Sequence, residues 1–360
     1  MVLIGGDPGI GKSTLLTQTL SYFADEPVLY VTGEESVQQV SLRAKRLNVN
    51  APNLRLLAET QVENMMALAE PFKPKVMVID SIQTMFTDLL QSAPGSVGQI
   101  RESAALLVRF AKRTQTALIL VGHVTKEGML AGPRVLEHMV DAVLYFEGQK
   151  DSRFRVMRAI KNRFGAANEL GVFAMTDTGL KPVSHPSAIF LNRSEVDVPG
   201  QMVMVTWEGT RPLLIEVQAL VDESHLGHPR RVAVGMDSQR LAMLLAILNR
   251  HGGINIHQMD VFLNVVGGVK ISETGADLAV VFALLSSLKN KPLDCNLAVF
   301  GEVGLGGEIR PVQGGQERIR EAQKHGFKRM IVPKANATKL KLVEIEVIPV
   351  TTLQAALNYL

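Results

Sequence analysis

Residues 6–13 read Gly-Asp-Pro-Gly-Ile-Gly-Lys-Ser, so that Gly6 stands four residues before a Gly11-Lys12-Ser13 triplet. This spacing suits a loop that wraps a phosphate chain: the glycines let backbone N–H groups converge on an anion, and the helix that follows adds the positive end of its dipole. In such a loop the lysine reaches the β- and γ-phosphates and the serine hydroxyl ligates Mg²⁺. Gly6, Asp7, Pro8, Gly9, Ile10, Gly11, Lys12, Ser13 and Thr14 are therefore the candidate contacts to ATP. The context fits, because an apolar strand at Val2–Ile4 precedes the loop and a helical run with Leu15, Leu16 and Leu20 follows it.

Nucleotide hydrolysis needs further groups. The run Val76–Ile79 reads as a strand buried on both faces and ends in Asp80, which makes Asp80 the second candidate Mg²⁺ residue beside Ser13. A second buried strand over 27–33 ends in Glu34-Glu35. One of these carboxylates can orient and deprotonate the attacking water; Glu34 is favoured, with Glu35 left to cap a helix starting near Ser36. A third strand, from 116, ends at Gly122-His123, where His123 can sense the γ-phosphate.

These side chains need a frame. Strands alternating with helices near 14–24, 36–48, 61–70 and 100–113 imply a parallel sheet with crossover helices. Prolines at 182, 186 and 199 interrupt the pattern and place a domain boundary near 185, giving domains 1–185 and 186–360. The second half reads as α+β, with strands near 201–207 and 212–221, a helix over 237–252 ending at Gly252, a helix over 275–288, and a strand over 296–309.

A chain of 360 residues is long enough for two cores. Its 38 basic and 35 acidic residues are too balanced to establish nucleic-acid binding by charge alone. One cysteine excludes a disulfide framework or a multi-cysteine metal site within the chain and suits a cytoplasmic setting. The apolar run 278–288 is shorter than the roughly 20 residues of a membrane span. The segment Lys161-Asn162-Arg163-Phe164-Gly165 sets two cations at the end of an apolar strand, readable as a solvated strand end, a nucleic-acid contact, or part of a catalytic site that another loop begins.

Taken together, "GDPGIGKST", "YVTGEES", "VIDSIQT", "PGSVGQIRE", "GHVTKEG" and above all "KNRFG" resemble the bacterial RadA (Sms) recombination and repair family, relatives of RecA and of ring-shaped DnaB-type helicases. The resemblance implies a RecA-type P-loop ATPase domain followed by an α+β Lon-protease-like (ribosomal S5 domain 2-like) domain. It implies an ATP-driven, single-stranded-DNA-stimulated motor that forms hexameric rings, acts in branch migration during homologous recombination, and works beside the recombinase RecA. It carries the phosphate-loop roles to Lys12 and Ser13, the magnesium role to Asp80 and the catalytic glutamate to Glu34. It places 96–102 and 125–134, with Arg101, Lys126 and Arg134, where relatives hold their DNA-binding loops. The family's N-terminal four-cysteine zinc ribbon has no counterpart here, so the chain is expected to begin at the ATPase core.

Where Lon-type peptidases have their serine, this chain reads Thr274-Gly275-Ala276, and where they have their lysine it reads Gly314-Gly315-Gln316-Glu317. Peptidase chemistry is therefore not expected. A nucleotide-switched oligomeric scaffold without translocation is the alternative to a motor. For Lys161 and Arg163 the expectation is a contribution in trans, aimed by a turn at Phe164-Gly165, to the neighbouring subunit's ATP.

Overall fold

The computed structural model describes residues 1–23, 25–123, 133–148, 153–167, 169–183, 187, 191, 198–224, 228–337 and 344–360. They form two compact units, residues 1–183 and 184–360.

The first unit is built on nine strands: β1 (Val2–Gly6), β2 (Val28–Thr32), β3 (Leu54–Ala58), β4 (Val76–Asp80), β5 (Ala117–His123), β6 (Ala142–Glu147), β7 (Phe154–Asn162), β8 (Leu170–Thr176) and β9 (Gly179–Pro182). Their order across the sheet is β3-β2-β4-β5-β1-β6-β7-β8-β9. From β3 through β6 every pairing is parallel, and β6 to β9 continue as antiparallel neighbours. Helices α1 (Lys12–Leu20), α2 (Val37–Arg46), α3 (Val62–Phe72), α4 (Val97–Thr114) and the single turn α5 (Pro133–Leu136) connect the strands.

Alternation along the strands supplies two cores. Leu3, Leu29, Val31, Met77 and Ile79 point to one face, with Met65 of α3 and Leu107 of α4. Ile4, Val28, Tyr30, Val76 and Val78 point to the other, with Leu16 and Leu20 of α1 and Val40 of α2. A sheet covered on both faces explains why these strands read as unbroken apolar runs.

Several boundaries differ from expectation. The strand β3 was not anticipated, because Leu54–Ala58 includes Arg55 and lies at the sheet edge, where one side needs no apolar cover. Residues 97–102, expected in a loop, form the opening turns of α4, whose Ser96 N-cap accepts from the Gln99 N–H. The helix after Glu35 is capped by a Ser36/Gln39 box and not by Glu35.

The second unit carries β10 (Gln201–Glu208), β11 (Arg211–Glu223), β12 (Arg231–Val234), β13 (Met259–Val265), β14 (Leu297–Val299), β15 (Glu302–Val303), β16 (Ile309–Arg310), β17 (Arg329–Pro333) and β18 (Glu346–Val350). Seven of these make a mixed sheet in the order β12-β13-β11-β10-β14-β17-β18, and β15 and β16 form a separate hairpin. The expected strand 296–309 is thus three short ones, broken where Gly301, φ 154°, takes the chain off the sheet. Its helices are α6 (Ser238–Gly252), α7 (Asp277–Leu288), α8 (Gly315–Lys324) and α9 (Leu353–Leu357). Helix α6 is closed by Gly253, φ 68°, one residue past the expected Gly252. The apolar run 278–288 is a helix enclosed by the unit's own core, and among the described residues no helix is long and apolar enough to cross a membrane.

Candidate nucleotide-binding site

The parallel strands deliver the phosphate loop, Glu34, Asp80 and His123 to one end of the first unit's sheet. Register pairs Gly6 with His123 across β1 and β5, and Thr32 with Asp80 across β2 and β4. Four C-terminal strand ends therefore lie side by side, the position at which open α/β sheets bind ligands. The phosphate loop leaves β1 at Gly6, where a Cβ would come within 2.5 Å of the Phe146 carbonyl oxygen. Gly11 ends the loop at φ 115° as the N-cap of α1, a left-handed conformation with glycine's freedom behind it. Asp7, Pro8 and Gly9 are exposed at the tip, while Ile10 is buried against Phe146 and Leu180. Arg155 of β7, itself buried, holds the loop from behind by donating from Nε to the Ile10 carbonyl at 3.2 Å.

Lys12 is 3% exposed and folds back beneath the loop. Its Nζ donates to the carbonyls of Gly6 (2.7 Å) and Asp7 (2.8 Å) and lies 3.0 Å from His123 Nδ1. His123 Nε2 in turn lies 3.1 Å from Glu34 Oε1, which also accepts a hydrogen bond from the Ser81 hydroxyl. Lys12, His123, Glu34 and Ser81 thus form one continuous polar chain. Burial pulls the Lys12 ammonium down from 10.5 to about 8, partly offset by the negative charges of Asp80, Asp7 and Glu34.

The two adjacent glutamates part company. Glu34 faces the phosphate loop through His123, whereas both carboxylate oxygens of Glu35 accept from Arg43 Nη2. Asp80, buried at the end of β4, accepts from the Tyr30 hydroxyl. Ser13 stands in the first turn of α1, directly after Lys12. The Ser13 hydroxyl and the Asp80 carboxylate are hard oxygen donors of the kind Mg²⁺ takes alongside phosphate oxygens, so the residues present fit that ion. Among the described residues no group of three or more His, Cys, Asp or Glu side chains could hold a metal by itself.

Against protein families, residues 1–129 match the one described as AAA domain, and residues 231–336 the one described as Subunit ChlI of Mg-chelatase. The DNA repair protein RadA of Pseudomonas aeruginosa is 65% identical over 100% of this chain and 80% of its own length. The proteins of the same description from Escherichia coli (59%, over 99% of this chain and 78% of theirs) and Bacillus subtilis (48%, over 96% and 76%) follow the same pattern. The chain belongs to the RadA family of DNA repair proteins. Among solved structures, a KaiC-like protein of Pyrococcus horikoshii aligns over 51% of this chain and 88% of its own at 20% identity, with a TM-score of 0.43.

The Lys-Asn-Arg-Phe-Gly segment that carries the RadA resemblance does not join the cluster. It closes β7 where β7 pairs with the start of β6: Asn162 lies opposite Ala142, and Ala142 opposite Val2. The phosphate loop leaves the other end of β1, about 13 Å of strand away. Lys161 Nζ donates to the carbonyls of Glu137 (2.6 Å) and Val140 (2.9 Å). Arg163, 55% exposed, pairs with Asp141 at 3.3 Å. Phe164 is 85% exposed and fixes nothing by packing. The turn is held instead by Asn162, whose Oδ1 accepts from the Phe164 N–H (3.2 Å) and whose Nδ2 donates to the Ala166 carbonyl (3.4 Å).

Of the two expected DNA loops, 125–132 with Lys126 lies outside the described residues, as does the side chain of Arg134. The other, expected over 96–102, is the N-cap and opening turns of α4, where Arg101 is exposed, and the stretch 88–96 runs ahead of it. Gln99, within the expected loop, holds that preceding stretch from beneath, donating to the carbonyls of Thr87 (3.1 Å), Leu90 (3.0 Å) and Ser92 (2.9 Å) and accepting from the Thr87 N–H (2.9 Å).

In the second unit the two segments compared with a peptidase dyad do meet, but through a different pair. Arg318, fully buried, donates to both oxygens of Glu273 at 2.7 Å and stacks over Trp207 and Phe300. A guanidinium locked in this way holds the segments together and has no proton to take from a nucleophile.

Sequence reasoning passed over Tyr30, Ser81, Arg155 and Arg318. Tyr30 and Arg155 stand in apolar strand runs where a single polar tip looks incidental. Ser81 carried a usable signal, since it directly follows the candidate metal carboxylate.

Proposed function

We propose that this chain is an ATP hydrolase whose turnover is stimulated by single-stranded DNA, working as a ring-forming, DnaB-like motor in homologous recombination and DNA repair.

 The ring is a hexamer in this reading, its place is the cytoplasm, and its partners are single-stranded DNA, recombination intermediates and the recombinase RecA. The observation that carries the reading is the polar chain Lys12–His123–Glu34–Ser81 at the phosphate loop, with Asp80 and Ser13 beside it. The similarity to RadA proteins supplies the DNA-repair context.

In this reading Lys12 leaves the loop carbonyls for the β- and γ-phosphates, and the exposed N–H groups at 7–9 close around them. Glu34 takes the proton of the attacking water, and His123, in contact with both Lys12 and Glu34, registers whether the γ-phosphate is present. Ser13 and Asp80 hold Mg²⁺, which neutralises charge on the phosphate oxygens when bound. The 96–102 segment, with exposed Arg101, contacts DNA phosphates, and the second unit is a Lon-protease-like scaffold without peptidase activity.

The test is ATP turnover and oligomeric state with and without single-stranded DNA. Stimulation of turnover is expected; turnover and assembly both indifferent to saturating DNA would leave the nucleotide-switched scaffold as the better description. A second measurement addresses Lys12. Phosphate binding needs the charged ammonium, which in the empty site is lost around pH 8. Binding above that pH must therefore take up a proton, so ATP affinity should fall about tenfold between pH 7 and pH 9. An affinity that stays flat over this range would show that Lys12 remains charged in the empty site.

A further inference from the structure

The back of the phosphate loop rests on the antiparallel part of the sheet. Ile10 clusters with Phe146 of β6 and Leu180 of β9, and Phe173 and Met175 of β8 pack against them. A Cβ on Gly11 would come within 3.0 Å of Met175 Cε. Helix α1 is tied to the same bed by Gln18, whose Nε2 donates to the Leu180 carbonyl (3.2 Å) and whose Oε1 accepts from the Leu180 N–H (2.8 Å). Into this apolar bed the chain sets a guanidinium. Arg155 of β7 is 7% exposed, and it donates from Nε to the Ile10 carbonyl at 3.2 Å and from Nη1 to the Phe154 carbonyl at 2.9 Å. An apolar side chain would fill the space without the cost of burying a charge.

The contact with Ile10 fixes a direction. A trans peptide is planar, with its carbonyl and its N–H on opposite sides. Pinning the Ile10 carbonyl backward against Arg155 therefore turns the other half of that peptide, the Gly11 N–H, forward into the hollow of the loop. The preceding N–H, that of Ile10, is taken by the Asp7 carbonyl at 3.3 Å. The Gly11 N–H thus begins the run of N–H groups at the head of α1 that can meet an anion. Gly11 stands at φ 115° and has no side chain to oppose rotation of this peptide, so its orientation needs a hold from elsewhere.

We propose that Arg155 is a positioning residue for ATP: through the Ile10 carbonyl it keeps the Ile10–Gly11 peptide turned so that the Gly11 N–H faces the phosphates. The inference rests on the reading of residues 6–14 as the triphosphate site. Arg155 serves binding and not the chemical step. Glu34 follows β2 and His123 ends β5, and both strands lie on the other side of β1 from β7. Helix α1 keeps its own tie to β9 through Gln18, so removing Arg155 frees the peptide and not the helix.

The experiment uses the full chain, titrated with a fluorescent ADP in Mg²⁺, with hydrolysis of pre-bound ATP followed in a single turnover. Arg155→Met keeps an unbranched chain and removes the donor. It should bind ADP about tenfold more weakly, the loss expected of a charge-assisted hydrogen bond, and hydrolyse bound ATP within about threefold of the parent rate. Arg155→Gln is the rescue. Its Nε2 stands as many bonds from Cα as the arginine Nε, so this neutral donor should return affinity to within about threefold of the parent. Arg155→Gln as weak as Arg155→Met would show that the guanidinium acts by its charge alone, and would overturn the proposal. Unchanged ADP affinity in Arg155→Met overturns it too, as does a joint loss of affinity and bound-state rate, the mark of a merely structural role. Lys12→Ala is the control: if it binds ADP as the parent does, the reading of the phosphate loop fails and this inference with it. Thermal unfolding without nucleotide verifies folding. If Arg155→Met is not folded, Arg155→Lys, which sets a methylene where Nε stood, is compared with Arg155→Gln by the same criteria.

Discussion

Glu34→Gln should bind ATP as the parent chain does and turn it over about 10²–10⁴-fold more slowly, the usual contribution of a general base. The amide keeps an oxygen that can accept from the Ser81 hydroxyl, so the local structure has no cause to collapse. What it cannot do is take a proton from water. Glu35→Gln makes the contrast, because that carboxylate is committed to Arg43 and stands one residue further along the chain. It should lose well under tenfold, as expected for a partly exposed ion pair. Single-turnover hydrolysis of pre-bound ATP measures both. A stalled Glu35→Gln beside an active Glu34→Gln would exchange the two roles.

Arg163→Ala should cost about 10³-fold in turnover, at the lower end of an arginine finger's contribution, and leave ATP binding intact. The fold gives the reason. Arg163 sits at the end of the sheet from which β1 starts, so it cannot serve its own phosphate loop, and over half of its side chain is open to a partner. Its contact with Asp141 at 3.3 Å is a surface pair of the kind worth about 0–1 kcal/mol, easily exchanged for a phosphate. Lys161 is less available, since two backbone carbonyls already hold it; Lys161→Ala should act by loosening the 137–140 segment. Mixing Arg163→Ala subunits with Lys12→Ala subunits is the decisive measurement. Each supplies what the other lacks, so activity should return at interfaces where an intact loop meets an intact arginine. Mixed rings without any recovery would assign Arg163 to DNA or to structure.

Much of the phosphate site could be read from spacing alone, because its parts lie within one loop and the residues on either side. Gly6 through Thr14 form a local motif, and its backbone conformation depends on glycines that the sequence displays directly. Asp80, Glu34 and His123 were legible for a related reason: each ends an apolar run, and parallel strands must bring such ends together. The 97–102 segment was misread because glycine and proline at 94–98 resemble a loop, whereas Ser96 capping and the buried face of α4 decide for helix. The broken strand at 296–309 was misread because apolar residues alternate through a hairpin as they do through a single strand.

The sequence by itself therefore determined the phosphate loop, the two-part organisation and the set of strand-end side chains, since all of these follow from local spacing and periodicity. Only the tertiary structure decided which of two neighbouring glutamates faces His123, that Arg318 pairs with Glu273, and that the buried Tyr30 phenol donates to Asp80. Those choices depend on residues from separate strands and helices meeting at hydrogen-bonding distance. Tyr30 and Asp80 are fifty positions apart in the chain, yet they share one hydrogen bond because β2 and β4 are neighbours in the sheet.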